Sequence, residues 1–171
     1  MKKLLLIGLV CLLSGMAGIP GAWAQEKDPV WEQVKAVNLP EKSLKASWHR
    51  VFRSEMLTEE LVSEGTVELR QPDYLRWETL SPVQRVTVMD ANAPRGRFKL
   101  PQEKDFSVSV REAASDNAYL VVLSPVRRDL KQMIREITLI VDRESFVLRY
   151  VTILDPDQNF TRIEFSHIVK E

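Results

Sequence analysis

The sequence predicts a mainly β (α+β) domain in which a curved antiparallel sheet of eight or nine strands curls into an open or partly closed barrel, with two helices against its concave face. Three observations predict it. Apolar and polar residues alternate along most of the chain with the period of two that a half-buried strand requires. Short turn-forming segments separate these runs, and such links join antiparallel neighbours. Only two segments carry a helical period, too few to cover both faces of a sheet.

The first of these helices lies near the start of the domain. Asp28 can cap it, Pro29 suits the first helical position, and Val30, Val34 and Val37, with Trp31, fall on one face. Leu39-Pro40 ends it, because the residue before a proline is pushed out of the helical region. From there the period is two. Leu44, Ala46 and Trp48 alternate with Lys45, Ser47 and His49; Gly65, Val67 and Leu69 alternate with Glu64, Thr66, Glu68 and Arg70. Phe106, Val108 and Val110 alternate with Ser107, Ser109 and Arg111. Further strand runs are expected over 74–78, 83–89, 118–123, 137–141, 146–153 and 160–168. The second helix is expected over 126–134, where Ser124 can cap, Pro125 starts the turn, and Val126, Leu130, Met133 and Ile134 form one stripe.

Residues 1–24 read as a secretory signal: a basic start at Lys2 and Lys3, an apolar run over 4–13, then breakers and the small residues Ala22 and Ala24 around Trp23. The apolar run is shorter than the roughly 20 residues a spanning helix needs. A lipidated Cys11 is the competing reading, but bulky Val10 precedes it and only seven apolar residues lie upstream, so Cys11 fits better as part of the signal's core. Cleavage after Ala24 would leave one domain over 25–171. Removing 1–24 takes away two lysines and no acid, so the remaining 147 residues carry 22 basic against 24 acidic groups, a net charge of −2.

That remainder excludes much chemistry. It holds two glycines, Gly65 and Gly96, and no cysteine. It therefore has no Gly-rich phosphate cradle, no thiol nucleophile, no disulfide and no thiolate metal site. A near-neutral balance without a basic block argues against nucleic acid. His49 and His167 stand 118 residues apart among polar neighbours and read as surface residues. Neither glycine gives a serine the setting of a nucleophile elbow. Asp155, Asp157 and Asn159 open like a calcium loop, yet Phe160 stands where glycine must turn and Ser166 where a bidentate glutamate belongs. A strand-connecting turn is the better reading. Glu59-Glu60 and Glu103 with Asp105 lie in polar connections and read as solvated pairs. No catalytic residue, metal or cofactor is expected, and the protein reads as non-enzymatic. Arg127, Arg128, Lys131 and Arg135 form a basic cluster on and after the second helix, either a solvated face or a docking edge for an acidic partner. The tryptophans beyond the leader, Trp31, Trp48 and Trp77, all lie in the first half, with Trp48 and Trp77 on the apolar faces of their strands. They read either as ordinary core or as the lining of a concavity able to take an acyl chain.

The stretch from Gly65 through Pro72 and Trp77 to Pro82 resembles the strand pair around the Pro-x-x-x-x-Trp motif of the LolA outer-membrane lipoprotein carriers. Ser43-Leu-Lys-Ala-Ser-Trp48 is similar to that family's first strand, and 119–125, 137–142 and 159–165 are similar to its later ones. The resemblance implies an unclosed half-barrel with helices as a lid over an apolar cavity. It further implies a chaperone in the periplasm of a Gram-negative bacterium, collecting lipoproteins from an inner-membrane lipoprotein-release ABC transporter and passing their acyl chains to an outer-membrane acceptor. Leu44, Ala46, Trp48, Leu75 and Trp77 would line the cavity; Val34, Leu130, Met133 and Ile134 would belong to the lid; Arg127, Arg128 and Lys131 would dock a partner. The chain departs from the family pattern in two places. Gln71 replaces the arginine usual before the motif proline, with Arg70 one residue early and on the other face, and 90–104 lacks the expected aromatic strand and long helical insertion. Two cargo classes therefore stay open: lipoprotein acyl chains, or another lipid or polyene chain of an envelope export system. A secreted interaction module without cargo is the remaining alternative.

Overall fold

The computed structural model describes residues 28–38, 42–70, 74–90, 103–113 and 116–171. Residues 1–24 with Cys11, the motif positions Gln71 and Pro72, and 91–102 lie outside the described residues. Among the described residues nine strands form one antiparallel sheet. They are β1 (Ser43–Arg53), β2 (Leu61–Arg70), β3 (Tyr74–Ser81), β4 (Arg85–Asp90), β5 (Phe106–Glu112), β6 (Ala118–Pro125), β7 (Glu136–Asp142), β8 (Leu148–Leu154) and β9 (Phe160–Lys170). Helix α1 is Pro29–Asn38, a 3₁₀ turn occupies Glu103–Asp105, and α2 is Arg128–Lys131.

The spatial order is β4-β3-β2-β1-β9-β8-β7-β6-β5. The sheet is thus two meanders joined at β1 and β9, with β4 and β5 as its outer edges among the described residues, rather than one continuous meander in chain order. The joint is extensive, running from Leu44↔Lys170 to Arg53↔Phe160 with an irregularity between Lys45 and Ser47. Local signals could not have revealed it, because the two strands lie more than 100 residues apart.

Helix α1 forms as its sequence predicts. The Asp28 carboxylate accepts from the Val30 N–H at 2.9 Å and the Trp31 N–H at 3.4 Å, satisfying donors that the first turn leaves free. Trp31 and Val34 on its inner face join the core. The second helix is shorter than the expected 126–134. Ser124 and Pro125 end β6, where Pro125 pairs with Phe106 and the Val126 N–H donates to the Asp105 carbonyl. A proline is tolerated at that strand end, so the Ser-Pro pair that reads as a helix start serves as a strand terminus. Only Arg128–Lys131 is helical, flanked by extended Arg127, and Met133 and Ile134 follow in a turn bonded to the Leu130 carbonyl. Strand β8 begins at Leu148 instead of 146, because Phe146 adopts a positive φ of 56° in the preceding turn.

Inward-facing residues of the strands close one core with α1 and α2 beneath the sheet's concave side. Across β9, β8, β7 and β6 the registered partners Ile163, Val151, Leu139 and Val121 form an aliphatic rung, each almost wholly withdrawn from solvent. Cross-strand pairs of this type supply the packing that stabilises a sheet.

Candidate functional site

The concave face of β1, β2 and β3 is built differently from that rung. Leu44, Ala46 and Trp48 project inward from β1, and Leu75 and Trp77 from β3, as the alternation predicts; all five are buried in the core. The two indoles stack with centroids 4.6 Å apart and planes 26° from parallel, an offset arrangement that aromatic quadrupoles favour. Trp48 Nε1 donates to the Thr66 carbonyl at 3.0 Å, so its polar edge is satisfied within the sheet.

Gly65 makes the stack possible. It pairs with Trp48 across the β1/β2 ladder and sits at a register shift between β2 and β3. A Cβ at this position would fall 1.8 Å from the Glu78 carbonyl oxygen and 2.7 Å from the Trp48 ring. The missing side chain is the space through which Trp48 reaches Trp77.

Of the residues assigned to a lid, Val34, Leu130 and Ile134 are buried and Met133 packs against them half-buried. Helix α1 is fastened at both ends. Trp31 Nε1 donates to Glu103 at 2.7 Å, and Lys35 Nζ lies 3.0 Å from Glu103 and 2.9 Å from Glu32. Burial opposes the Lys35 charge, but the two carboxylates outweigh it and hold the ammonium above the usual lysine range. At the other end Asn38 donates to the Phe146 carbonyl at 2.7 Å and accepts from the Leu148 N–H at 3.0 Å, while Lys170 donates to the Val37 carbonyl.

The basic cluster is only partly available to a partner. Arg127 is held by Asp129 at 2.7 Å and by Asp105 at 3.2 Å, which raises its pKa, the hydrogen bond to Asp129 most of all. Arg128, Lys131 and Arg135 are exposed. His49 and His167 are exposed on β1 and β9. Asp155 accepts from the Asn159 N–H at 2.9 Å and from its side-chain amide at 2.8 Å, closing the β8–β9 turn as a hydrogen-bonded loop. Among the described residues no group of His, Cys, Asp or Glu side chains is arranged to hold a metal ion, and no helix is long and apolar enough to cross a membrane.

Two features escaped the sequence reading. The inward alternation through Leu44, Ala46 and Trp48 continues to Arg50, which an apolar pattern passes over; its cross-strand partners are Ser63 and Ile163. Period two alone would have found it. Large apolar side chains also stand exposed at one end of the sheet, in and beside the β1–β2 and β3–β4 turns: Met56 is 90% exposed, Val83 72%, Leu61 52% and Leu80 50%. Scattered single residues of this type are ordinary, and only the return of neighbouring hairpins to the same end brings these four together.

No family model matches the chain. Over 90 residues it is 34% identical to the outer-membrane lipoprotein carrier protein of Photorhabdus laumondii subsp. laumondii, a stretch covering 53% of this chain and 41% of that protein. The match thus spans about two fifths of the relative's length. In outline the chain is similar to a LolA superfamily protein from Nitrosomonas europaea, with a TM-score of 0.49 and 8% identity over 83% of this chain and 92% of that one. It is also similar to an outer membrane lipoprotein-sorting protein domain from Vibrio parahaemolyticus, with a TM-score of 0.47 and 8% identity over 82% and 90%. Part of the chain is thus similar to an outer-membrane lipoprotein carrier, the family that the segment from Gly65 to Pro82 resembles.

Proposed function

We propose that the protein is a non-catalytic carrier that holds acyl chains on the concave face of its half-barrel and moves them through the periplasm from the inner to the outer membrane. The observation that carries this reading is the apolar concave face itself, in which stacked Trp48 and Trp77 lie in one core with Val34 of α1 and Leu130 of α2. On this reading the domain is 25–171 with the leader removed after Ala24, and Leu44, Ala46, Trp48, Leu75 and Trp77 contact the cargo. Val34, Leu130, Met133 and Ile134 move to admit it. Cargo is a lipoprotein, or another lipid or polyene chain of an envelope export system. It is received from a release transporter of the ABC type and surrendered to an outer-membrane acceptor, with Arg128 and Lys131 free to dock either partner.

Each buried methylene contributes about 0.8 kcal/mol, so a 16-carbon chain offers on the order of 10 kcal/mol. That is of the same order as the cost of displacing α1, which re-exposes Trp31 and Val34 at about 1.5–3 kcal/mol each and breaks a few hydrogen bonds worth about 1 kcal/mol net each, so capture and release stay near balance. The similarity to a lipoprotein carrier supports the same reading. Mass spectrometry of lipid extracted from the purified protein, with quenching of tryptophan fluorescence by a brominated acyl chain, tests it. Co-purified lipid and a quenched signal are expected; a clean protein whose tryptophans never respond would sink the reading. The exposed apolar turns at Met56, Leu61, Leu80 and Val83 favour a second reading, an envelope interaction module without cargo. Crosslinking from these turns to a protein partner, without lipid, would select it.

A further inference from the structure

Arg50 and Ser63 are an anomaly in an otherwise apolar setting. They are direct partners in the β1/β2 ladder, and Arg50 is also the partner of Ile163 in β9. Antiparallel partners project to the same side of a sheet; Ile163 is buried in the core, so both polar side chains leave their strands on the concave face. Arg50 Nε and Ser63 Oγ are shut off from solvent, and neither has a hydrogen-bond partner among the described residues.

The other arginines of the described residues show how unusual this is. Arg53, Arg70, Arg76, Arg127, Arg143, Arg149 and Arg162 each meet a carboxylate; Arg162 shares a shielded, unpartnered Nε, but its Nη2 lies 2.6 Å from Glu164. Arg85, Arg111, Arg128 and Arg135 stand exposed. Arg50 is half-buried with neither solution. Burial pushes its guanidinium below the ordinary arginine value, yet an arginine in a protein keeps its proton. The shielded Nε is a donor of a charged group left without a partner, which is costly, and an oxyanion removes that cost. The planar fork of a guanidinium matches a carboxylate or phosphate, and the Ser63 hydroxyl adds a neighbouring donor.

The position says what such an anion would be attached to. Two residues inward from Arg50 lies Trp48 of the sealed aromatic stack; two residues outward, Phe52 pairs with Leu61, which is half exposed at the open end of the sheet. Arg50 therefore marks the boundary between an apolar interior and the exposed turns at that end of the sheet, where the polar end of an amphiphile would come to rest if its chain lay inside.

We propose that Arg50 and Ser63 form a head-group site: the cargo is an amphiphile whose chain lies against Trp48 and Trp77 and whose anionic carboxylate or phosphate head is held by the Arg50 guanidinium and the Ser63 hydroxyl. This rests on the carrier reading above and deepens it, since a carrier gripping chains alone would be indifferent to head charge.

The test compares binding of palmitate, hexadecyl phosphate, uncharged monopalmitoylglycerol and inorganic phosphate to the purified protein, by calorimetry below the micellar range. The two anionic amphiphiles are expected to bind about tenfold or more tighter than the uncharged one, the range a charge-assisted hydrogen bond supplies. R50Q should bring them down to the uncharged ligand's level, R50K should keep part of the preference, and S63A should cut it about threefold. Circular dichroism reports whether each variant is folded; should R50Q not fold, R50K and S63A decide. Equal affinity for charged and uncharged amphiphiles, or a preference that survives in R50Q and S63A, overturns the head-group site and leaves the carrier reading standing. Binding of no amphiphile overturns both. Inorganic phosphate binding as tightly as hexadecyl phosphate, in an Arg50-dependent way, overturns the proposal in favour of a free-anion site.

Discussion

Strands β6 to β9 and strands β1 to β3 fill the same concave depth by opposite means. In the first group Val121, Leu139, Val151 and Ile163 meet in register as branched side chains of similar size, and no glycine interrupts them. In the second, two indoles occupy the space, and they fit only because β2 offers Gly65 and breaks register beside it. The aliphatic group has its polar bonds on its turns, where Asp142 gathers the Ser145 N–H at 2.8 Å, the Glu144 N–H at 3.1 Å and the Arg149 guanidinium. The aromatic group keeps two unsatisfied polar side chains within its concave face and bare apolar residues at its turns. Uniform branched residues lock a core into one arrangement, whereas flat rings beside a bulge leave a face that can be re-covered by another flat or linear group. On the carrier reading proposed above, the first half holds the fold and the second exchanges what it touches.

That division can be broken by mutation. The largest effect is expected from Leu139→Ala in the aliphatic rung, where truncating a fully buried leucine costs about 2–5 kcal/mol. Urea denaturation should show the loss, and acyl binding measured on the surviving folded fraction should be unaltered. A binding defect as large as the stability defect would mean that the halves are not separable. Gly65→Ala should cost a comparable amount, about 3 kcal/mol or more, because its new methyl group would fall 1.8 Å from the Glu78 carbonyl oxygen and 2.7 Å from the Trp48 ring, and the backbone cannot yield cheaply. Its signature is specific: the near-ultraviolet dichroism of the stacked indoles should collapse while the far-ultraviolet signal of the sheet persists. An unchanged indole signal would show that Trp48 does not need the gap. The smallest effect is a pH dependence in the aliphatic half. Hydrogen bonds to Asp142, from the Ser145 N–H first and then from Arg149, hold its carboxyl well below the usual range. A depressed native value means that the contribution is complete above the unfolded value of about 3.9 and is lost as pH falls through the native one. The melting temperature of Asp142→Asn should therefore lie below that of the parent at neutral pH, and the gap should close in strong acid. A gap that persists there would assign it to something other than the carboxylate charge.

Much of this contrast was legible in the sequence, for identifiable reasons. Alternation placed Leu44, Trp48, Leu75 and Trp77 on inner faces because each lies in a strand whose polar residues keep strict period two, and Asp28-Pro29 announced α1 through backbone donors that any helix leaves unsatisfied. The pairing of β1 with β9 was not legible, since nothing local to either strand encodes a partner more than 100 residues away. Ser124-Pro125 misled because a proline that can begin a helix can also finish a strand, and only the neighbouring Phe106 decides between them. Arg50 was hidden by its chemistry: a charged residue on an inward position is contrary to the pattern that locates inward positions. The resemblance to the LolA carriers was visible because the segment from Gly65 to Pro82 is contiguous in the chain and its residue spacing can be read locally.

The position of β4 and β5 at opposite ends of the sheet, unclosed among the described residues, has a mechanical consequence. In a closed barrel the girth is fixed by strand number and shear, and widening it means breaking a seam of hydrogen bonds. Here eight strand-to-strand interfaces lie in a row with no seam between the ends. A few degrees of added or removed twist at each interface accumulates across the row, within the ordinary range of sheet twist and without the loss of any ladder bond. The aperture is therefore a soft coordinate of the molecule, while the ladder remains stiff. The fastenings on α1, Glu103 at one end and Asn38 at the other, hold that helix in place; on the carrier reading proposed above, a handful of side chains would set the width of guest, and they could be retuned without rebuilding the sheet.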